Sequence, residues 1–464
     1  ALLVPVLHLA STTDGAIRLA VLVQAVLLVA AVQAIYALAR SWCTPWASAL
    51  AGAVWFALAW RVGLSGLEFA LSSFLLLLAM LVSARRFSDA AVPSPCEYAW
   101  LGLLLALCAL SRLDAVVLAI LVAADLAWRL GRHAPPAGAA RLLAALCLPL
   151  LALVGAYFAA NVLAFGHPLP VSGLIKRDWS EHLLARDPLD LRYGWLAAKA
   201  AQVLRPLRHA TDPTMASIVL GGYLPQALLA VHVLRQRGVA TGLAARPMRA
   251  LGPYVAFAAL QPVAYAVLYH GHYSFAPWYY AAQPALAALL AAAVSDRLVR
   301  LARPSRLGQA AIPAAATLVL LLVGFETARL IATRREEGPL LVAAHWARRH
   351  LPADARIGAW SAGAIGFLSE RQVVNLDGVV NTLAFHRREQ YDLCGYWRRT
   401  GVTHLVDVFE AREGSKEMKG TTLPVSSFYA PCASELVPIW TERIAGNPGW
   451  PKAFLLRPAP PQKP

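Results

Sequence analysis

From residue 1 to about 330 the chain is a succession of apolar runs broken by short arginine-bearing stretches, and beyond 331 the pattern changes to that of a water-soluble domain. A helix crossing the hydrocarbon of a bilayer needs about 20 mostly apolar residues. On that measure residues 16–39, 46–60, 66–84, 98–110, 113–128, 142–165, 216–234, 251–269, 278–295 and 308–330 predict about ten spans, with 46–60 short enough to be re-entrant. Read as one helix, 98–128 would be about 46 Å long and would hold Arg112 and Asp114 near the bilayer centre, where charge is costly. Two short helices with a turn at Ser111-Arg112-Leu113-Asp114 avoid both problems. After Pro339 the pattern predicts a helix at 340–350, a strand at 356–360, a short helix at 362–368 and strands at 373–376 and 403–408. Strands alternating with helices indicate a small α/β layer. The expected organisation is therefore a polytopic α-helical membrane domain at 1–330, an extracytoplasmic α/β domain at 331–457 and a Pro-rich, disordered tail at 458–464.

Composition agrees: 58% of residues are hydrophobic and 15% charged, against about 25% charged in an ordinary soluble protein. The net charge of +16 does not indicate nucleic-acid binding, because the basic residues form no stripe with interleaved aromatics. They alternate by loop instead. One set of loops holds Arg40, Arg85, Arg86, Arg129, Arg132, Arg141, Arg235, Arg237, Arg246, Arg249, Arg297, Arg300, Arg303 and Arg306, while the short loops of the other set hold Arg61 and Arg112. The positive-inside bias puts the first set in the cytoplasm. Glu68, Arg112, Asp114, the loop 166–215, the turn 270–278 and the C-terminal domain then share the outer face. Cys43, Cys96, Cys108 and Cys147 lie in or beside apolar runs with no metal-ligand spacing. Cys394 and Cys432 fall in the outer domain, where a disulfide would persist.

Several outer-face residues carry chemistry. Lys176 and Arg177 follow a span directly, where cations either neutralise a lipid phosphate or anchor the chain to anionic headgroups. Glu68 enters a span as a carboxylate, and such groups face a cavity or a partner; Arg61 and Arg112 are candidate partners. Arg112 and Asp114 either serve a substrate or keep the hairpin turn hydrated. His270, His272 and Tyr279 belong to an aromatic and histidine cluster that fits an interfacial aromatic belt or stacking on a sugar or polyprenyl chain. The pair His270 and His272 has no third ligand in view, so the sequence supplies no ligand set for a divalent metal. Ser361-Ala362-Gly363-Ala364-Ile365-Gly366 lacks the spacing of a phosphate loop and reads as a tight strand-to-helix turn.

Taken in order, Leu64-Ser65-Gly66-Leu67-Glu68, Leu110-Ser111-Arg112-Leu113-Asp114-Ala115 and Phe165-Gly166-His167-Pro168-Leu169-Pro170 with Lys176 resemble the GT-C superfamily of lipid-linked-sugar glycosyltransferases. Within it they resemble the branch that contains the mycobacterial terminal arabinofuranosyltransferases and related bacterial enzymes. Leu113, Ala115 and Val171-Ser172 depart from its usual Pro, Gly and Asn-Thr. Residues 351–375 and Asn375-Leu376-Asp377-Gly378 look like the outer domain that follows in such proteins. The resemblance implies an inverting glycosyltransferase of the bacterial cytoplasmic membrane. It would take a polyprenyl-phosphate sugar donor among membrane lipids and an envelope glycan, lipid or protein acceptor. It also places the catalytic Asp in a first outer loop ahead of Ala1, so the chain reads as N-terminally truncated. Two other classes stay open: a transporter or flippase of a lipid-linked substrate, although no internal repeat is visible, and a non-catalytic envelope assembly protein.

Overall fold

The computed structural model describes residues 13–64, 68–87, 93–133, 135–185, 187–209, 215–216, 218–224, 250–270, 274–301, 338–378, 380–384, 393–410, 436–442 and 449–456, with four single positions between 314 and 325. The chain divides into two compact units, one of residues Ala1–Ala160 with Ser180–Glu326 and one of Asn161–Trp179 with Thr327–Pro464.

The first unit is a helical bundle. Its long helices are α1 (Thr13–Ala39), α2 (Pro45–Gly63), α3 (Phe69–Arg86), α4 (Pro95–Ser111), α5 (Ala115–His133) and α6 (Pro136–Phe165). Helix α7 (Val171–Leu184) straddles the division, and α8 (Pro188–Tyr193) and α9 (Trp195–Arg208) follow it. A π-helical turn (Ile218–Tyr223), α10 (Gly252–Leu268), a 3-10 turn (Pro277–Tyr279) and α11 (Ala282–Leu301) complete the bundle. The punctuation is local chemistry. Proline in the first turn opens α2, α4 and α10, where its missing N–H costs nothing. Ser94 and Glu97 close a capping box at the start of α4, satisfying two N–H groups that the helix leaves open. Asp296 Oδ1 accepts from the Thr44 amide at 2.9 Å and so caps α2 from α11.

The bundle core holds Leu28 and Ile35 of α1, Trp55 of α2, Leu77 and Met80 of α3, Leu101 of α4 and Tyr254 of α10. Facing outward are Val26 and Val29 of α1 and Leu148, Leu151 and Leu163 of α6, all exposed. Apolar surface of this extent suits a lipid environment. By length and composition, three described helices are able to cross a membrane: Gly15–Ala39, Phe69–Arg86 and Pro136–Phe165; Pro95–Ser111 and Gly252–Leu268 are apolar but shorter. The expected count of about ten spans is corrected accordingly, leaving a multi-pass helical membrane protein. Residues 46–60 lie in α2, 115–128 in α5 and 282–295 in α11, but charges in these helices, mostly near their ends, dilute them: Arg61 in α2, Asp125, Arg129 and Arg132 in α5, Asp296 and Arg297 in α11. Residues 46–60 form one continuous helix rather than a re-entrant segment. The expected span at 216–234 is described only as far as 224, and 308–330 lies almost wholly outside the described residues, as does the tail 458–464.

The second unit contains α12 (Pro339–His350), β1 (Arg356–Ala359), α13 (Ala362–Ser369), β2 (Gln372–Asn375), α14 (Leu393–Thr400), β3 (His404–Glu410), β4 (Leu436–Thr441) and β5 (Gly449–Leu456). The strand order is β2-β1-β3-β5-β4. Strands β2, β1 and β3 run parallel, and β5 and β4 are antiparallel. Side chains alternate across the sheet. Val406 packs with Ala343, Ala347, Ile357 and Ile365 on the α12–α13 face, while Leu405 packs with Trp397, Val402 and Leu376 on the α14 face. Buried Asp407 accepts from the amides of Trp360 and Ser361, at 2.5 and 3.0 Å, and fixes the turn after β1. Trp360 and Ser361 thus form a tight strand-to-helix turn, and residues 362–366 belong to α13 itself.

Candidate functional site

The turn between α4 and α5 forms as its residues dictate. Helix α4 ends at Ser111, whose hydroxyl donates to the Cys108 carbonyl at 2.7 Å, and Arg112 is extended at φ −154°. The arginine then reaches across the end of the bundle. Its Nη1 donates to Glu68 Oε1 at 2.9 Å and to the Trp278 carbonyl at 2.9 Å. Its Nε donates to Asp114 Oδ1 at 3.1 Å and its Nη2 to Asp114 Oδ2 at 3.4 Å. Nη2 also donates to the Tyr265 hydroxyl at 3.1 Å, and that hydroxyl donates in turn to Asp114 Oδ2 at 3.2 Å. The guanidinium lies 5.0 Å from the centre of the Tyr279 ring, a cation–π distance. Tyr279 stacks on Tyr265 with centroids 4.6 Å apart.

Two glutamines complete the network. Gln261 donates to Asp114 Oδ2 and, at 2.9 Å, to the Tyr279 carbonyl. Gln283 donates to Gln261 Oε1 at 3.0 Å and to the Ala258 carbonyl at 2.8 Å. The side chain of Arg112 is 9% exposed, Asp114 17% and Glu68 41%. Burial works against the guanidinium charge, but Asp114, Tyr265 and Glu68 outweigh it and hold Arg112 more firmly charged than an ordinary arginine. A small cleft lined by Ser72, Cys108, Arg112, Asp114, Gln261 and Tyr279 opens beside the cluster, with room, about 20 Å³, for a water or two.

The structure therefore brings Glu68, Arg112, Asp114 and Tyr279 together at one end of the bundle, where α3 begins, α4 ends, α5 begins and α10 ends. Arg85, Arg86, Arg129 and Arg132 lie at the opposite ends of α3 and α5. His270 does not join the Arg112 cluster. Its Nε2 pairs with Asp187 Oδ2 at 2.8 Å, and its Nδ1 is buried with no hydrogen-bond partner among the described residues. Burial pushes the Asp187 carboxyl up, but the Leu189 amide and His270 prevail and hold it below the usual range. Lys199 of α9 donates to the Tyr269 carbonyl at 3.0 Å, next to His270. His272 lies outside the described residues. Lys176, half-buried, and Arg177, exposed, sit on α7 in the second unit. There Val171, Ile175 and Trp179 form the buried face of α7, and Trp179 stacks on Trp360 with centroids 6.2 Å apart.

Gln261, Tyr265 and Gln283 were not anticipated from the sequence, although a glutamine inside an apolar run is a usable signal, since polar groups in such helices face partners. Among the described residues no three His, Cys, Asp or Glu side chains gather to hold a metal. Among the described residues Cys43, Cys96, Cys108 and Cys147 form no disulfide, and Cys432 lies outside the described residues, so the expected pairing with Cys394 does too.

A family profile described as a domain of unknown function (DUF8728) matches residues 329–440. No curated protein matches the sequence. Among solved structures, the chain is similar to ArnT from Cupriavidus metallidurans bound to undecaprenyl phosphate, at 14% identity and a TM-score of 0.49, covering 94% of this chain and 84% of that one. It is also similar to the Archaeoglobus fulgidus oligosaccharyltransferase in complex with zinc and sulfate, at 14% identity and a TM-score of 0.47, covering 85% of this chain and 56% of that one. The same archaeal enzyme, AglB, in complex with an inhibitory peptide and a dolichol-phosphate, matches at 13% identity and a TM-score of 0.44, with 85% and 59% covered. The chain thus spans just over half the length of the oligosaccharyltransferase.

Proposed function

We propose that the protein is a membrane glycosyltransferase that moves a sugar from a polyprenyl-phosphate donor to a cell-envelope acceptor on the outer face of the cytoplasmic membrane. The motif resemblance further suggests an inverting GT-C enzyme of the arabinofuranosyltransferase branch. The observation that carries the reading is the meeting of Glu68, Arg112, Asp114 and Tyr279 at the bundle end away from the arginine-rich loops. By the positive-inside bias that end is extracytoplasmic, and the reading places the C-terminal domain on the same side. Within the cluster Asp114 holds the Nε and Nη2 edge of Arg112, while Glu68, the more exposed partner, occupies Nη1. A donor phosphate displacing Glu68 would meet a charged, pre-oriented guanidinium, which suits stabilisation of a phosphate leaving group. Tyr279, buried between the guanidinium and the Tyr265 ring, holds the arginine in place rather than offering a face to the sugar. Lys176 and Arg177 are assigned to the donor phosphate at the membrane surface. Glu68 and Asp114 are not assigned as the base, since Arg112 already engages both.

The test is sugar transfer by the purified full-length protein from a polyprenyl-phosphate sugar pool to an envelope extract. Lys176→Ala lowers transfer without loss of folding; unchanged transfer removes its phosphate role. A second reading, a non-catalytic assembly protein, is favoured by one observation: every Arg112 contact among the described residues is internal, and the cleft admits only water. In that case the purified, folded protein transfers no sugar, and Glu68→Gln and Arg112→Lys change only its stability.

A further inference from the structure

The α8–α9 segment has its polarity reversed. Helix α9 buries Ala198, Lys199, Gln202 and Pro206 against the bundle and turns its leucines outward: Leu196 is 75% exposed, Leu204 53% and Leu207 53%. These three recur at spacings of eight and three and lie on one face of a helix. Leu191 at 73% and Tyr193 at 62% continue the patch on α8. A helix in water does the opposite, hiding leucine and exposing lysine. Along the same segment Arg192, Arg205 and Arg208 supply cations, and Arg192 covers the Tyr193 ring at 5.1 Å.

We propose that α8 and α9 lie in the lipid interface at the Arg112 end of the bundle, leucines in the acyl boundary and arginines on anionic headgroups. Continuity fixes the occupant. Lys199 ties α9 to the Tyr269 carbonyl at the end of α10, and α10 itself exposes Leu260, Val263, Val267 and Leu268 along its length. The outward leucines of α9 thus extend the apolar surface of a bundle helix at its end, where a bilayer gives way to headgroups. Interfacial helices combine such an apolar face with Lys and Arg beside it. The proposal does not depend on sugar transfer.

It is tested with the full chain whose native cysteines are replaced by serine or alanine, carrying a nitroxide at Leu196→Cys, Leu204→Cys or Leu207→Cys. These positions are more than half exposed, so the label disturbs no packing. In vesicles of phosphatidylcholine with phosphatidylglycerol, collisions with oxygen, which partitions into lipid, exceed those with a water-soluble nickel chelate at all three positions. The triple variant Arg192→Gln/Arg205→Gln/Arg208→Gln lowers the oxygen-to-nickel ratio in these vesicles but not in phosphatidylcholine alone. Nickel exceeding oxygen would show a water-facing helix, and low collision rates with both would show a protein partner or a second copy. Either result overturns the proposal, and an equal response of the triple variant in both vesicles overturns the anionic-headgroup assignment.

Discussion

Arg112→Ala removes the keystone of the cluster, and the structure sets the size of the effect. The arginine side chain is 9% exposed and its main partner Asp114 17%. Removing one member of a buried pair costs about 3–5 kcal/mol. Gln261 and Tyr265 still donate to Asp114, so the low end, about 3 kcal/mol, is expected. Glu68 is 41% exposed, and Glu68→Gln should cost no more than about 1 kcal/mol. Arg112→Ala combined with Asp114→Asn removes both charges, and its cost should fall short of the sum of the singles by about 1–3 kcal/mol. Arg112→Lys keeps the charge but not the planar fork, and lands between native and alanine. The assay is reversible unfolding of the full chain in mixed lipid and detergent micelles, followed by tryptophan fluorescence. Glu68→Gln as damaging as Arg112→Ala, or strict additivity in the double variant, would refute the assignment of Asp114 as the main partner.

Burial pushes the Asp407 carboxyl up to about 6, despite three backbone N–H donors. The folded state holds the proton more tightly than the unfolded state, so this group's contribution is complete below about pH 4 and is lost as pH rises through 6. Hydrogen-exchange protection of β3 amides, corrected for intrinsic rates, should be higher at pH 5 than at pH 7, with a span of at most about 3 kcal/mol; Asp407→Asn should flatten it. A Cβ added at Gly102 would overlap the Leu146 carbonyl, so Gly102→Ala forces α4 and α6 apart, the close approach that small residues permit between membrane helices. A Cβ added at Gly155 meets no atom of another described element within 4 Å, and Gly155→Ala should leave the unfolding midpoint unchanged or slightly raised. A loss at Gly155 equal to that at Gly102 would argue against the helix contact.

Much of the bundle was legible because its boundaries are chemical. Arg112 and Asp114 stop α4 and start α5 within a few residues of the expected places, since leaving them mid-membrane would be costly. Strands β1, β2 and β3 were equally visible from their runs. Strands β4 and β5 were not: Pro438 and Pro451 interrupt them, and proline argues against a strand by sequence. Helices α8 and α9 hid in a stretch of mixed polarity, because their apolar face points away from the protein. At the site, the charged residues stood out against apolar surroundings, whereas Gln261 and Tyr265 acquire meaning only once α10 is laid beside α5. The span count was overestimated because alanine-rich helices such as α2 and α11 read as apolar while carrying charges at their ends.

Sidedness carries the functional reading, and impermeant thiol labelling of the full chain in intact cells measures it directly. Cysteine at Glu68, or at Lys176 of α7, should react from outside, while cysteine at Arg86 should react only after permeabilisation. Labelling that places Glu68 and Lys176 on opposite sides, or both with Arg86, would contradict an outer-face site.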